Sequence, residues 1–313
     1  MSRKNWHNSI FFLLIFLLLF SAVKAQIKEA RNVMWEKVNV AERDLFYGPG
    51  GKESIPDLSR ISLIKEEKKG HTKKYRIKDG AGKIWIAKLG REARPETAAV
   101  RLLYGLGYKT DINYLVPKLT IPGIGTFENV RLETRSENVR TLGNWKWLDN
   151  PFLKTNELQG LKIMIVFMKN WDVLDIQNDI LEVATADNKE NQYIVSDLGA
   201  TFGKLGNNNL PLFYRFGRST GKPKDFAKSK LIRKVKNGNV ELSYKGKNRE
   251  IFEGVTVENA SWLYELLSQL SDRQIGDAFR AANYSPSEVE IYTQAVKNKI
   301  AELAVFAENK NKK

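Results

Sequence analysis

The stretch GLKIMIVFMKNWDVLDIQN at residues 160–178, followed by SDLGATFG at residues 196–203, decides how we read the rest of the chain. Both stretches carry oxygen-bearing side chains, with Asp172, Asp175 and Asn178 in the first and Asp197 in the second. Carboxylate and amide oxygens are the ligands that hard cations such as Mg²⁺ prefer, so the two stretches together predict a site for a metal and a phosphate tail. Taken singly, each motif is more typical of an ordinary turn or a helix cap, and the remaining sequence must decide between these readings.

The N-terminus has the three zones of a secretory signal. Arg3 and Lys4 precede an unbroken apolar run at residues 10–20, and small residues follow at residues 21–25. The run is shorter than the roughly 20 apolar residues that a membrane-spanning helix needs, so an uncleaved anchor fits less well. We therefore predict cleavage near Ala25 and export of the mature chain to the outside of the cell, a periplasm or a secretory lumen.

The composition excludes several classes of active site. Cleavage near Ala25 would remove three basic residues, leaving 48 basic against 36 acidic residues and a formal charge of +12. The basic residues are spread through predicted strands and helices, which indicates a surface that attracts anions and predicts no dedicated nucleic-acid site. The chain has no cysteine, and His71 is the only histidine of the mature part. The lack of cysteine excludes disulfides and thiolate sites, and a single histidine nearly excludes a Ser-His-Asp triad. Any catalytic chemistry must therefore come from acids, amides and lysines.

Strand and helix patterns predict an α+β chain with two lobes. A wrapping extension at residues 26–59, with a short helical pattern near residues 32–44, precedes an antiparallel sheet with one helix. The predicted strands of this small lobe lie at residues 61–66, 73–78, 83–89, 114–122 and 129–135. The larger, mainly helical lobe has predicted helices at residues 155–168, 257–270, 272–283 and 286–306, and hairpins at residues 180–196 and 240–252. The predicted boundaries are residues 60–140 for the N-lobe, 141–308 for the C-lobe and 309–313 for a basic tail.

Two features of the small lobe predict a phosphate site. Lys88 ends the apolar strand WIAK, where a buried ammonium needs an anionic partner, and Glu96 opens the next helix as the obvious partner. The loop at residues 68–74 contains Gly70 and Lys73, whose backbone amides and side chain suit the phosphates of a nucleotide. A solvated basic hairpin loop explains the same residues equally well.

The order of these parts resembles the protein-kinase-like superfamily, and within it the atypical branches that are HipA-like, phosphoinositide-kinase-like or secreted-kinase-like. Strand lysine, helix glutamate, NWDVLDIQN and SDLGATFG follow one another as strand lysine, helix glutamate, catalytic loop and metal aspartate do in kinases. The resemblance covers residues 61–203 strongly. It implies a two-lobed kinase-like fold with ATP and Mg²⁺, or Mn²⁺, held between the lobes.

The resemblance also implies roles for individual residues. Lys88 would orient the nucleotide phosphates, Glu96 would fix Lys88, and Asn178 and Asp197 would bind the metal. The spacing departs from the kinase pattern, because five residues separate Asp172 from Asn178 where kinases have four, and Gln177 stands in the expected place. The catalytic role therefore stays open between Asp172 and Asp175. Asp197 is expected to face the like charge of one of these two acids, with a cation between them.

The sequence thus predicts an exported phosphotransferase that acts on a hydroxyl acceptor such as a protein, a glycan or a lipid headgroup. Two alternatives remain open. One is a nucleotide-binding module of pseudokinase type without turnover, which the altered loop spacing favours. The other is a basic surface-binding protein of unrelated fold, against which the order of the motifs argues. The sequence does not predict the oligomeric state or the particular acceptor.

Overall fold

The computed structural model describes residues 30–68, 72–135, 138–185, 188–206 and 218–310. The predicted signal segment and Gly70 lie outside these ranges. The described chain has two hydrophobic cores, one within the five-stranded sheet of a small lobe and one in a large lobe, and the small-lobe helix Ala93–Gly105 packs into the second core. Among the helices in these ranges, none combines the length and the apolar character that crossing a membrane requires.

The N-terminal extension is mostly irregular. Strand β1 (Arg31–Val33) is followed by two short 3₁₀ turns at Val40–Glu42 and Gly48–Gly50. The helix predicted near residues 32–44 is therefore wrong. The apolar side chains that suggested it, among them Met34 and Val40, are buried in the core of the large lobe.

The extension contacts both lobes, as predicted for a wrapping segment. Trp35 donates its indole N–H to the carbonyl of Leu106, at 2.6 Å, next to the end of the small-lobe helix. Gln274 of the large lobe donates to the carbonyls of Val40 and Arg43 at 2.8 and 3.0 Å. The extension thereby joins the helix of the small lobe to the helices of the large one.

The small lobe is a five-stranded antiparallel sheet with one helix. Its elements are β2 (Ser62–Glu67), β3 (Lys74–Lys78), β4 (Ile84–Lys88), α1 (Ala93–Gly105), β5 (Ile112–Ile121) and β6 (Gly125–Thr134). The strand order is β2-β3-β4-β6-β5. Successive strand residues face opposite sides of a sheet, so Trp85 and Ala87 of β4 lie in the lobe's core while Lys88 lies on the other face.

Local sequence explains where α1 begins and ends. Pro95 and Glu96 lie in its first turn, where a proline needs no hydrogen bond and an acid favours the positive end of the helix dipole. The chain leaves the helix through Gly107, whose φ of +95° is in the left-handed region. A Cβ at this position would lie 2.2 Å from the carbonyl oxygen of Glu36 in the extension, so only glycine fits.

The large lobe combines helices with two small sheets. Its elements are β7 (Val139–Asn144), α2 (Asn156–Phe167), β8 (Asn178–Ala184), β9 (Lys189–Val195), α3 (Pro223–Ala227), β10 (Ile232–Lys236), β11 (Asn239–Leu242), α4 (Val257–Leu267), α5 (Asp272–Arg280) and α6 (Pro286–Lys310). The larger sheet has the order β1-β9-β8-β7, in which β1 runs parallel to β9. Helix α2 is buried on all sides, since every residue from Leu158 to Phe167 is buried, and it delivers the loop that follows into the interior.

The second predicted hairpin of the large lobe is wrong. Residues 240–252 were expected to form it, whereas β10 pairs with β11 across the turn Asn237-Gly238. Both turn residues have positive φ, +50° and +74°, as in the two-residue turns that asparagine followed by glycine favours. The predicted second strand is a 3₁₀ turn at Arg249–Phe252, and residues 243–248 link the two elements.

Candidate active site

Lys88 lies at the centre of a cluster of acids between the lobes. Its Nζ is 2.8 Å from Oε2 of Glu96, 3.3 Å from Oδ1 of Asp197 and 3.8 Å from Oε2 of Glu92. Only 3% of the lysine side chain is exposed, and Glu96 is fully buried. The predicted ion pair between Lys88 and Glu96 is therefore confirmed. Asp197, which comes from the large lobe, extends it to a triad that joins both lobes.

Lys88 and Asp197 stabilise each other's charge, whereas at Glu96 burial outweighs the nearby cations and raises the pKa. Burial alone would lower the pKa of Lys88, but the carboxylates of Glu96 and Asp197 outweigh it and raise the pKa above its usual range. Burial likewise favours a higher pKa for Asp197, but Lys88 and Arg131 bring it below its ordinary value. The cation that faces Asp197 is thus Lys88 itself. The sequence had suggested only acids around Asp197, with a bound cation between them.

Arg131 is a member of the cluster that sequence reasoning missed. Its guanidinium lies 3.2 Å from Glu96 and 2.7 Å from Glu133, and only 5% of its side chain is exposed. The available signal was the alternation of Arg131 and Glu133 with the apolar residues Val130 and Leu132 in β6, which puts both charges on the cleft side of the sheet.

The stretches at residues 160–178 and 196–203 contact each other in the structure. The side chain of Asn170 accepts a hydrogen bond from the backbone N–H of Asp172, at 3.1 Å, and donates to the carbonyl of Asp197, at 3.4 Å. The backbone N–H of Trp171 donates to the carbonyl of Ala200 at 3.2 Å. The predicted convergence of the loop after α2 with the Asp197 turn is therefore present.

The structure separates the two aspartates between which the catalytic role was open. Asp172 is half-buried, and its Oδ2 accepts a 2.7 Å hydrogen bond from Gln177. Burial raises its pKa, and the negative charge of Asp197 acts in the same direction. Asp175 is exposed, accepts a 3.0 Å hydrogen bond from the backbone N–H of Trp147 and lines a different cavity. Asp172 is the one that shares its surroundings with Asp197.

Asn178, the second predicted metal ligand, is not among the residues that line the cleft, and its side-chain Oδ1 has no hydrogen-bond partner among the described residues. It is 1% exposed at the start of β8, and its side-chain amide donates to the carbonyl of Trp145 at 3.2 Å. Gln177 instead lines the cleft with Lys88 and Asp197. Asp179 also lines the cleft, since neighbouring residues of a strand face opposite sides, and this alternation turns Asn178 into the core. Kinases have four residues between the loop aspartate and the metal-binding amide, and this spacing, counted from Asp172, predicts Gln177 as the cleft residue.

The loop at residues 68–74 contributes a different lysine from the predicted one. Lys73 is exposed and precedes β3, whereas Lys74 lies opposite Lys88 in the register of β3 and β4 and lines the cleft. Directly paired residues of antiparallel strands share one face, so a shift of one position exchanges the two faces. The other predicted residue of this loop, Gly70, is not among those described.

Two adjoining cavities lie at the small-lobe sheet, and only the first of them is also lined by residues of the large lobe. One, of about 240 Å³, is lined mainly by charged and amide side chains that include Lys74, Lys88 and Asp197. The other, of about 460 Å³, is lined in part by Ile84, Trp85 and Ile86. Glu133 and Arg135 belong to both cavities. The charged cavity is the one that lies between the lobes and that Lys88, Glu96 and Asp197 line.

The oxygen donors of the cleft suit Mg²⁺. The side chain of Asp197 is 42% exposed, Gln177 lines the same cavity, and Asp172 is joined to Gln177 by a hydrogen bond. Within the described ranges, no three His, Cys, Asp or Glu side chains form a metal cage of their own. A cage is not required, because Mg²⁺ in nucleotide sites uses one or two carboxylates and completes its shell with phosphates and water. The donors present therefore fit this metal.

Comparisons with known proteins bear on the fold alone. No protein-family model matches the sequence, and no curated protein matches it. The fold is similar to the crystal structure of CtkA, a proinflammatory kinase of Helicobacter pylori, with a TM-score of 0.50 and 9% sequence identity. The similarity covers 81% of this chain and 97% of that one. At this identity the likeness establishes a two-lobed, kinase-like α+β fold, which confirms the fold class predicted from the sequence.

Proposed function

We propose that this chain is a phosphotransferase of the atypical kinase type, which uses ATP with Mg²⁺ or Mn²⁺ and transfers phosphate to a hydroxyl acceptor. The triad of Lys88, Glu96 and Asp197 carries the proposal, because it puts a permanently charged ammonium and a carboxylate from the opposite lobe at one point of the cleft. A lysine point charge orients phosphate oxygens, and a carboxylate next to it suits the accompanying metal.

The residues of the chain have separate tasks in this mechanism. Glu96 and Arg131 hold Lys88 in place, and Lys88 orients the phosphates. Asp197 and Gln177 would hold Mg²⁺, which neutralises phosphate charge when it is bound. Asp172 accepts the proton of the acceptor hydroxyl, a role that its raised pKa favours. The acceptor oxygen then bonds to the terminal phosphorus of ATP as the bond from that phosphorus to ADP breaks.

Export is part of the proposal and rests on residues 1–25 of the sequence. N-terminal sequencing of the exported protein checks it. A first residue at Gln26 supports cleavage after Ala25, and recovery of the intact N-terminus in the membrane fraction contradicts it.

ADP formation by purified residues 26–313 with ATP and Mg²⁺ tests the transfer function. We expect Asp172→Asn to lower the turnover at least about 100-fold, the usual contribution of a general base. Asp175→Asn is the matched control in the same loop and should retain most of the turnover. Equal losses in the two variants would contradict the assignment of Asp172.

A second function is favoured by one observation. The Oδ2 atom of Asp172 already accepts a hydrogen bond from Gln177, at 2.7 Å, and that contact competes with an acceptor hydroxyl. A nucleotide-binding module without turnover would keep this bond. The two functions differ in the same assay, since the module would bind nucleotide with Mg²⁺ and form no ADP.

A further inference from the structure

Positive charge is concentrated in one segment of the large lobe. Residues 222–249 contain ten Lys or Arg and two acids, a net charge of +8 out of +15 for the whole chain. The expectation of evenly spread basic residues is therefore wrong for this segment. Its last part, residues 243–249, which we term the basic loop, carries Lys245, Lys247 and Arg249, all exposed.

The basic loop is fixed to the catalytic loop on both sides of Asp172. The side-chain amide of Asn248 donates to the carbonyl of Val173 at 2.8 Å. The ring of Tyr244 stacks on Trp171, with ring centroids 5.4 Å apart and an angle of 24° between the planes. Since Trp171 and Val173 flank Asp172 in the sequence, these two contacts hold the basic loop beside the proposed base.

The conformation of the basic loop depends on two particular residues. A Cβ at Gly246 would lie 2.3 Å from the hydroxyl oxygen of Tyr244, so the loop closes over this ring only with glycine. Asn248 has a φ of +55°, a left-handed conformation that asparagine tolerates better than most residues. The exposed lysines on either side of Gly246 are thus presented by a defined turn.

Tyr244 provides an independent sign of a ligand. The residue is only 9% exposed, and its hydroxyl has no hydrogen-bond partner among the described residues. Burial raises its pKa, and the carboxylate of Asp172 raises it further. A buried hydroxyl without a partner is costly, and a ligand oxygen at this point would relieve the cost.

Acids limit the positive surface on one side. The cavity next to Asn248, of about 320 Å³, is lined by Asp149, Asp175 and Glu250 among other residues, and these carboxylates repel anions. An anionic group is therefore expected on the side of Lys245 and Lys247, away from this cavity. Ammonium groups together with a hydroxyl donor are typical of phosphate binding.

We propose that the basic loop is the acceptor site and that the acceptor is an alcohol which itself carries a phosphate group, either as a free molecule or as a lipid headgroup. The inference rests on the proposed phosphotransferase function. The lysines would bind the phosphate of the acceptor, and its hydroxyl would lie at Asp172. The hydroxyl gives its proton to Asp172 and takes the terminal phosphate of ATP, and ADP leaves.

Paired acceptors test the proposal on purified residues 26–313. Glycerol 3-phosphate is compared with glycerol, and vesicles of phosphatidylglycerol with vesicles of phosphatidylcholine, by ADP formation and by mass of the product. We expect stimulation by at least one phosphate-bearing alcohol and none by glycerol or phosphatidylcholine. Stimulation confined to vesicles identifies a headgroup as the source. Equal use of glycerol, or better use of an uncharged serine peptide, overturns the proposal.

Variants of the basic loop separate acceptor binding from catalysis. Lys245→Ala with Lys247→Ala should raise the KM for the acceptor at least about 10-fold, with kcat and the KM for ATP changed less than about 2-fold. Tyr244→Phe should raise the same KM without lowering the melting temperature, because the hydroxyl it removes has no partner in the protein. Lys234→Ala with Lys236→Ala on β10 removes the same charge from the same segment. An equal effect of this control pair would contradict a local site.

Failure of the proposed function gives a different result. If no acceptor supports ADP formation, titration calorimetry with glycerol 3-phosphate still tests the basic loop. Binding that is lost in the Lys245 and Lys247 variant and kept in the β10 control supports an anion site at the loop. Absence of binding in the unmodified protein overturns the inference.

Discussion

Lys88 of the small lobe and Lys169 of the large lobe are buried to the same extent, with 3% and 2% of each residue exposed, but their surroundings differ. Lys88 lies among carboxylates, which raise its pKa. Lys169 donates to the carbonyls of Lys230 and Ser243, at 2.6 and 2.7 Å, and burial together with the charge of Lys299 lowers its pKa to about 7. The partner groups, and not the burial, decide whether a buried lysine is charged. Lys88 is the lysine that we propose binds phosphates, and Lys169 joins two chain segments through their carbonyls.

Replacing each lysine by methionine should give the largest difference in unfolding free energy between the two sites. Lys88→Met leaves the fully buried Glu96 with Arg131 as its remaining cation, and we expect the unfolding free energy to fall by about 3 kcal/mol. Lys169→Met leaves two carbonyls without a donor but removes a desolvated amine, so a loss of about 1 kcal/mol is expected. Urea denaturation at pH 7.5 measures both, and equal losses would contradict the distinction.

The pH dependence of the unfolding free energy should also distinguish Lys169 from Lys88. The pKa of Lys169 is about 7 in the folded chain against an ordinary value of 10.5. Between these values the unfolded chain holds a proton that the folded chain has released, so the unfolding free energy rises with pH, by up to about 1.4 kcal/mol per pH unit. Lys169→Met should remove this part of the slope. Lys299, whose pKa burial lowers to about 8, adds a slope of the same sign in both proteins.

Lys88 should behave in the opposite way in the same titration. Its folded pKa is raised, so its stabilisation is fully present below its ordinary pKa and disappears only as the pH rises through the folded value. Denaturation midpoints between pH 7 and 10 should therefore show the same slope for Lys88→Met as for the unmodified protein. A slope that changes in both variants would mean that the two lysines are not distinguished by charge.

Removing one acid near each lysine should have the smallest effects. Glu96→Gln keeps the shape of the side chain, and Lys88 retains Asp197 at 3.3 Å, so we expect a loss of about 1 kcal/mol and weaker nucleotide binding. Glu302 accepts from the backbone N–H groups of Leu231 and Ile232, at 2.9 and 3.0 Å, and Glu302→Gln should cost about 0.5 kcal/mol. Nucleotide binding should not change in this second variant, which calorimetry can check.

The sequence predicts the parts of the site that depend on neighbouring residues. Lys88 at a strand end, Glu96 in a first helical turn and Asp197 after an apolar strand are local patterns, and the structure brings them together. An error of one position in such a prediction puts the side chain on the wrong face of the sheet, because neighbouring strand residues face opposite sides. Lys74 and Gln177 line the cleft, each next in the chain to a residue that the sequence had suggested, Lys73 and Asn178.

Contacts between distant segments could not be predicted from local patterns. The basic loop reaches the catalytic loop through Asn248 and Val173, which are 75 positions apart in the chain. No periodicity or motif records such a contact, and the hairpin expected at residues 240–252 assigned the loop to a simple turn. The turn signal Asn237-Gly238 was present in the sequence and predicts the actual hairpin.

Stabilisation by Mg²⁺ and ATP in two aspartate variants tests the central claim most directly. Saturating ligand, at about 100 times its Kd, should stabilise the unmodified protein by about 2.7 kcal/mol and raise its melting temperature by roughly 5 °C. Asp197→Ala should melt near the unmodified protein without ligand, since Lys88 keeps Glu96, and should gain nothing from ligand. Asp175→Ala removes an acid of the same loop that lies outside the cleft, so it should keep the full gain. An equal gain in Asp197→Ala and the unmodified protein, or none in either, would contradict a nucleotide and metal site at Asp197.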